Sequence, residues 1–274
     1  MSTEIYFLSG TGNSLYVAKE LQKRIPDTKL IPIARLKDEA VIETSGEAVG
    51  FVFPIHFMSA PSIVMNTLKK LDLKSTQYIF VIATRYGTPC SVMFSKIEKI
   101  LKAKGKNLNA YLALNMASND PKFKDWKPAN KEEIEKFQAE IQVTLDSLTE
   151  TIINKENYHE KDSHIIYPIS SLMEHLGTTA IQITGDGKEE FYSDSKCSGC
   201  GICEKVCLSN KIKLVNKRPQ WQKNEKCFSC YACINYCPEH SIQIKSNKMM
   251  KFYTENNGRY SHPYATANDV AEEK

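Results

Sequence analysis

Eight of the nine cysteines in this 274-residue chain lie between residues 197 and 237, in two copies of one spacing. Cys197, Cys200, Cys203 and Cys207 follow C-x2-C-x2-C-x3-C, and Cys227, Cys230, Cys233 and Cys237 repeat it. Three thiolates on one tight loop reach three irons of a cubane, while the fourth opens the next helix and points toward the other cluster. The spacing predicts one [4Fe–4S] cluster on Cys197, Cys200, Cys203 and Cys237, and a second on Cys227, Cys230, Cys233 and Cys207. Structural zinc is the competing chemistry. Zinc ribbons use separated C-x2-C pairs around one tetrahedral ion, which does not match this run. Pro238 follows Cys237, whereas Leu208 follows Cys207 and leaves the ligands intact.

A second constellation is Ser9-Gly10-Thr11-Gly12-Asn13-Ser14, between an apolar run and a helical stretch. Such a turn aims backbone N–H groups and hydroxyls at one spot, and the helix N-terminus adds positive potential, so it is an anion site. A dinucleotide pyrophosphate and a single phosphate compete for it. The dinucleotide fingerprint needs a third glycine where Leu15 stands, and an acidic residue ending the second strand, which is missing. Ser9, Thr11, Asn13 and Ser14 instead supply side-chain donors suited to a terminal phosphate such as that of FMN.

These groups need a scaffold, and the hydrophobic pattern supplies it. Apolar runs at Ile5–Leu8, Leu30–Ile33, Val49–Phe53, Ile79–Ala83 and Leu108–Leu114 alternate with helical spacing at Thr11–Gln22, Ile63–Leu71 and Val92–Leu101. Lys131–Asn154 reads as one long helix. Continuous apolar strands alternating with helices indicate a parallel sheet covered on both faces. The expected fold is α/β: a five-stranded doubly wound parallel sheet, followed by a small α+β two-cluster domain. The expected boundaries are 1–158 for the sheet domain, 159–190 for a connector, 191–248 for the cluster domain and 249–274 for a mobile polar tail. The connector holds the moderately apolar His164–Leu176 and a turn at Gly185-Asp186-Gly187. The cluster domain's apolar core is thin, so bound metal should supply much of its stability.

Composition narrows the class. The chain is 42% hydrophobic and 25% charged, with a net charge of +4, ordinary for a globular protein and too mild to argue for nucleic acid. It has no apolar run of the roughly 18 residues a membrane span needs, and no secretory leader pattern. The expected location is the cytoplasm, where clustered cysteines are metal ligands or catalytic groups before they are disulfides.

The glycine-rich loop resembles the phosphate loop of flavodoxins, S/T-x-T-G-N-S/T, and residues 191–246 resemble a bacterial two-[4Fe–4S] ferredoxin. Together the halves resemble the flavodoxin–ferredoxin fusion proteins of anaerobic bacteria and archaea. The resemblance implies a flavodoxin-like fold with FMN held by Ser9, Gly10, Thr11, Gly12, Asn13 and Ser14, and a flavin ring over the carboxyl ends of the strands. It implies ring contacts from the loop after the third strand (Pro54, His56, Phe57, Met58) and after the fourth (Thr84, Arg85, Tyr86, Gly87). Phe57, Met58 or Tyr86 would stack on the ring, and Arg85 would stand near its N1–C2=O edge. Thr84-Arg85-Tyr86-Gly87 departs from the family's T-Y-G-G, which leaves the stacking residue open. Met116-Ala117-Ser118-Asn119 partly matches the family's M-P-D-N and adds Asn119. Phe57 and Met58 also read as cover for the core, and Cys90 as a small buried residue.

Clusters pass single electrons and a flavin holds one or two, so a chain with both would relay electrons between an external redox protein, the clusters and FMN. Two alternatives stay open: an FMN reductase of a small organic acceptor, and a cluster-only ferredoxin with a docking domain that binds no flavin. No acid–base constellation stands out to favour the reductase. Residues 190–248 carry ten Lys and Arg against five Asp and Glu. That basic balance suits an acidic ferredoxin or flavodoxin as partner.

Overall fold

The computed structural model describes residues 1–56, 58–87, 90–160, 172, 176, 189–247 and 250–274. Phe57, Thr88, Pro89 and nearly all of the expected connector lie outside the described residues, and with them the readings made for His164–Leu176 and Gly185-Asp186-Gly187.

The chain begins with β1 (Thr3–Phe7), α1 (Asn13–Arg24) and β2 (Thr28–Pro32). After β3 (Ile42–Glu43) come β4 (Ala48–Pro54), α2 (Ser62–Lys70), β5 (Leu71–Asp72), β6 (Tyr78–Arg85), α3 (Ser91–Ala103) and β7 (Ala110–Asn115). Next are α4 (Lys131–Ile153) and β8 (Tyr158–His159). Six strands form one parallel sheet in the order β2-β1-β4-β6-β7-β8, while β3 and β5 pair beside it. Counted along the main sheet, the order is the flavodoxin-like doubly wound one, whose switch point lies between β1 and β4.

Alternation along the strands fills two cores. Ile5, Phe7, Val52, Phe80, Ile82 and Leu112 face α1 and α4, while Tyr6, Leu8, Phe51, Phe53, Val81 and Ala83 face α2 and α3. Gly50 sits where a Cβ would meet the Phe80 ring at 2.2 Å, so the close packing of β4 on β6 requires glycine there. Asn130 and Glu133 close a capping box at the start of α4. The start of α1 is different. Its N-cap is Gly12, at φ 96°, with no side-chain cap and no acid in the first turn. That helix end is left open for an anion.

Two expectations are corrected. The sheet has a sixth strand: Tyr158 and His159 pair parallel with Ala110 and Tyr111, across the boundary expected between 158 and 159. Two residues make no apolar run. The strand is fixed by stacking of His159 on Tyr111 at 4.7 Å between ring centres, and by a contact of 3.1 Å from its Nε2 to the Leu108 carbonyl. The tail is not a loose end, because Tyr260, His262, Ala265, Val270 and Glu273 are all buried. Its anchors stand singly among polar residues, so they give no periodic signal.

The C-terminal module pairs β9 (Phe191–Ser193) with β12 (Ile242–Ile244), and β10 (Ile212–Val215) with β11 (Arg218–Trp221). Single helical turns, Ile202–Lys205 and Ala232–Asn235, follow the two cysteine loops. Phe191, Ile212, Ile234, Ile242 and Ile244 make its own small core. Val206, Leu208 and Ala232 instead join the sheet core beside Phe51 and Phe53, with Val270 of the tail. The two domains share apolar packing. Among the described residues, no helix is long and apolar enough to cross a membrane.

Candidate functional site

The cysteines form two pockets, and the repeats exchange their fourth ligand. One pocket is lined by Cys197, Cys200, Cys203 and Cys237. The other is lined by Cys207, Cys227, Cys230 and Cys233. The Cys203 thiol feels Cys237, Cys200 and Cys197, while Cys227 and Cys230 feel Cys207. This is the crossed arrangement expected from the spacing. Backbone geometry repeats with it. Gly199 and Ser229 both have positive φ (73° and 51°), as do Gly201 and Tyr231 (81° and 55°) and Asn210 and His240 (58° and 48°). Each pocket is a set of four thiols around a small space, the donor set a cubane needs. With protein alone around them, burial pushes Cys203 and Cys227 up to about 11. Iron would reverse that cost, because a coordinated thiol is deprotonated by the ion's charge.

The pockets differ in what surrounds them. Cys200 of the first is exposed. Cys230 of the second also lines a cavity of about 580 Å³, within the usual range for small-molecule sites. The floor of that cavity is the loop after β1, with Ser9, Gly10, Thr11, Asn13 and Ser14. A Cβ on Gly10 would lie 2.2 Å from the Cys230 carbonyl oxygen, so the loop and the second cysteine loop touch backbone to backbone.

The loop's donors are arranged for an anion. Ser9 Oγ accepts from the Gly12 N–H at 3.1 Å, and Thr11 Oγ1 accepts from Asn119 Nδ2 at 2.6 Å. Both hydroxyls thereby keep their own protons to give. Ser14 Oγ and Thr84 Oγ1 share a hydrogen bond at 2.9 Å. Among the described residues, the N–H groups of Gly10, Thr11, Asn13 and Ser14 have no protein acceptor. Orphan N–H groups and free hydroxyl protons at an uncapped helix end fit a phosphate monoester.

The other walls come from the strand ends. Pro54 ends β4 and His56 and Met58 follow it, Thr84 and Arg85 end β6 with Tyr86 next, and Asn119 follows β7. Met58 has φ 64°, an uncommon conformation for a non-glycine residue. Arg85 approaches Glu160 at 3.6 Å and gives a hydrogen bond of 3.4 Å to Cys90 Sγ. Tyr86 and Phe123 line this cavity and are 64% and 56% exposed. Two expected residues stand apart. Gly12 faces the tail, where a Cβ would meet that of Ala265 at 2.3 Å. Gly87 (φ 65°) bonds Asn115 Oδ1 through its N–H and does not line the cavity. Phe57 lies outside the described residues.

Sequence reasoning missed Asp120, Phe123, Trp126, Ser229, Cys230 and Tyr231 as walls of the cavity. One signal was available. Tyr231 occupies the position that the first repeat gives to Gly201, and a bulky residue held left-handed is an outlier that marks a constrained site.

The tail straps this assembly. The Thr11 carbonyl accepts from the His262 N–H, Asn13 Oδ1 accepts from the Tyr260 hydroxyl, and Glu273 Oε2 accepts from the Ser9 N–H. The Asn235 side chain accepts from the Tyr260 N–H, and Tyr236 donates to the Ala265 carbonyl, so the strap also grips the helical turn after the second cysteine loop. The His262 ring stacks on Tyr16 at 4.5 Å between centres. Burial pushes the Glu273 carboxyl well above the usual carboxylate range, which suits a neutral acid beside an anion site.

A family model described as a 4Fe-4S dicluster domain matches residues 196–242. No curated protein matches the chain. Among solved structures, a putative flavoprotein from Bacteroides uniformis is similar over 43% of this chain and 92% of its own, at 17% identity and a TM-score of 0.36. Two-electron reduced flavodoxin from Megasphaera elsdenii is similar over 40% and 84%, at 14% identity and a TM-score of 0.32. An FMN-dependent NADH-azoreductase from Bacillus anthracis is similar over 54% and 100%, at 10% identity and a TM-score of 0.36. The strand order is that of a flavodoxin-like doubly wound sheet, and the segment that follows it matches a 4Fe–4S dicluster domain over residues 196–242.

Proposed function

We propose that this chain relays electrons between an external redox protein and an FMN in the 580 Å³ cavity, through two [4Fe–4S] clusters. The observation that carries the reading is the position of Cys230. One residue lines both the second thiol pocket and the cavity, so the pathway between them has no intervening layer of protein. When bound, the clusters supply single-electron steps and the flavin one- or two-electron chemistry. The chain's own residues do the positioning. Ser9, Thr11, Ser14 and the free N–H groups of the loop hold the phosphate end. Tyr86 and Phe123 offer apolar faces to the ring, and Arg85 brings positive charge to the same wall.

The order of the pockets implies a direction of approach. The first pocket, with exposed Cys200, is the entry, and the second, against Gly10, is the exit to the cavity. Lys196, Lys205, Lys213, Lys217 and Arg218 lie along the first repeat and the β10–β11 hairpin behind it. An acidic ferredoxin or flavodoxin is the complementary donor.

The test is anaerobic purification followed by iron and flavin analysis. One FMN and about eight irons per chain are expected. Iron without flavin, even after incubation with FMN, would remove the cavity from the pathway. Reduction by an acidic ferredoxin should slow steeply as salt rises, and a salt-independent rate would exclude the acidic donor.

A further inference from the structure

An acid–base cluster around the buried Lys122 ammonium forms the cavity wall beside Cys230, and it belongs to no step described so far. Asp120 follows β7 and lines the cavity next to Tyr231. Lys122 is 2% exposed, with its ammonium 3.5 Å from Asp120 Oδ2 and 3.1 Å from Glu189 Oε1. The same ammonium donates to the Tyr231 hydroxyl and lies 4.6 Å from the centre of that ring. Tyr231 in turn donates to Glu189 Oε1 at 2.7 Å. The Lys122 N–H donates to Asp120 Oδ1 at 3.2 Å.

Two carboxyl groups share one ammonium, so a fully ionised cluster would hold an excess negative charge at the partly buried cavity wall. Excess negative charge at low exposure is costly and favours the neutral form of a carboxyl. Glu189 has the closer contact with the ammonium and also receives the tyrosine's hydrogen bond. Asp120 has a longer ion pair and one backbone donor. Burial holds its carboxyl above the usual carboxylate range, with Lys122 opposing the rise and Glu189 adding to it. The other charged or titratable groups on the cavity are Arg85, His56 and Tyr86 across from it, and Cys230 beside Tyr231. Asp120 is therefore the member of the cluster that both opens on the cavity and has its carboxyl pushed toward the neutral form.

We propose that Asp120 is the proton donor for reduction in this cavity, with Lys122, Glu189 and Tyr231 as positioning residues. The inference rests on the flavin reading above. Two electrons reach the cavity from an external one-electron donor by way of the second thiol pocket. One proton leaves the Asp120 carboxyl and bonds to the reduced flavin, so the flavin itself gains one unit of negative charge rather than two, the other residing on Asp120 until it is reprotonated. The Asp120 carboxylate that remains is held by Lys122 and regains its proton from water at the cavity mouth.

The experiment uses the whole chain, reconstituted with iron, sulfide and FMN. Dithionite is mixed with wild type and Asp120→Asn, and cluster and flavin absorbance are followed separately across pH. Wild-type flavin reduction should slow as pH rises through the ionisation of Asp120. Asp120→Asn should be slower at every pH, by roughly tenfold to a hundredfold, with cluster reduction and FMN affinity unchanged. Asp120→Glu should recover most of the rate. Redox-difference infrared spectra should show a carboxylic-acid band lost on reduction in wild type and absent from Asp120→Asn. Equal flavin rates in wild type and Asp120→Asn, or an identical infrared band in both, would overturn the proposal. If Asp120→Asn does not retain FMN, wild-type spectra decide, and reduction without loss of a carboxylic-acid band overturns it. A chain that takes up no FMN sinks both readings, whereas one that takes it up without the band change sinks only this one.

Discussion

The two cysteine repeats turn left-handed at the same three places, yet only one of them has become the wall of a cavity. The first copy uses Gly199 and Gly201 at its two tight turns, where the conformation costs little. The second reaches the same φ with Ser229 and Tyr231. A side chain held left-handed costs about 1–2 kcal/mol, so surrounding contacts must hold these in place. Tyr231 has them in Lys122 and Glu189, and Ser229 is buried against the cavity. The first copy leaves Cys200 exposed, while the second presses Cys230 on Gly10. Duplication made two equal ligand loops, and packing against the sheet domain made them unequal.

The largest test of that difference concerns ownership of the fourth ligands. Cys207 belongs to the first repeat in sequence and to the second pocket in space. Cys207→Ser should cost the inner cluster and leave the outer one, with iron falling from about eight to about four per chain. Cys237→Ser should do the reverse. Cavity-bound flavin should then stay oxidised in Cys207→Ser while the outer cluster still reduces. Paramagnetic resonance of the reduced proteins separates the two. Loss of the same cluster from both variants would mean that the repeats do not exchange ligands.

The strap offers the next largest effect, since it ties the inner loop to the phosphate-type loop. His262 is 1% exposed, and burial pushes its pKa down to about 4, from about 6.5 in the unfolded chain. Between those values the unfolded chain binds a proton that the folded ring refuses. Folding stability at this residue is therefore present above pH 6.5 and is lost as pH falls toward 4. The full difference is about 3 kcal/mol. Hydrogen exchange in residues 259–274 should accelerate over that window, and His262→Gln should flatten the dependence. An acid-independent strap would assign the burial of His262 to packing alone.

Gly10→Ala should weaken the contact between the two domains directly. The added methyl would meet the Cys230 carbonyl at 2.2 Å, and neither backbone has a flexible end to give way. Overpacking of this kind costs about 1–3 kcal/mol. The second loop should retreat, with electron transfer into the cavity slowed at least tenfold and the outer cluster untouched. Transfer at the wild-type rate would mean that electrons do not pass at this contact.

The residues that were legible in the sequence share one property: their signal is local. The buried strands are continuous apolar runs, and β6 at Tyr78–Arg85 contains its expected core of Ile79–Ala83. The crossed cysteine sets follow from spacing, because C-x3-C carries the fourth ligand onto the next helical turn. The loop at residues 9–14 was legible because chain order alone places it at a helix start. What escaped was assembled from distant segments. Asp120, Lys122, Glu189 and Tyr231 come from three places in the chain, and each alone reads as an ordinary polar residue. The tail escaped for the same reason. Tyr260, His262 and Glu273 bond to Asn13, Thr11 and Ser9, about 250 residues away. The sixth strand was too short to have a period at all.

The smallest effect is the most specific to the comparison. If Tyr231 stands in a glycine position only to wall the cavity, its ring and its hydroxyl do separable things. The ring fills the wall beside Cys230, and the hydroxyl links Lys122 to Glu189. Tyr231→Phe should keep the ring and lose the link, for about 1 kcal/mol of stability, with both clusters still assembled. Tyr231→Gly should relieve the left-handed strain, making the second loop match the first, but open the wall and loosen Lys122. Cluster assembly should survive in both variants, since Gly201 shows that the turn itself does not need a side chain. Flavin retention should fall in Tyr231→Gly and hold in Tyr231→Phe. If both variants retained flavin as wild type does, the tyrosine would be a tolerated oddity of the repeat, and the inequality of the two loops would rest on Gly10 and the strap alone.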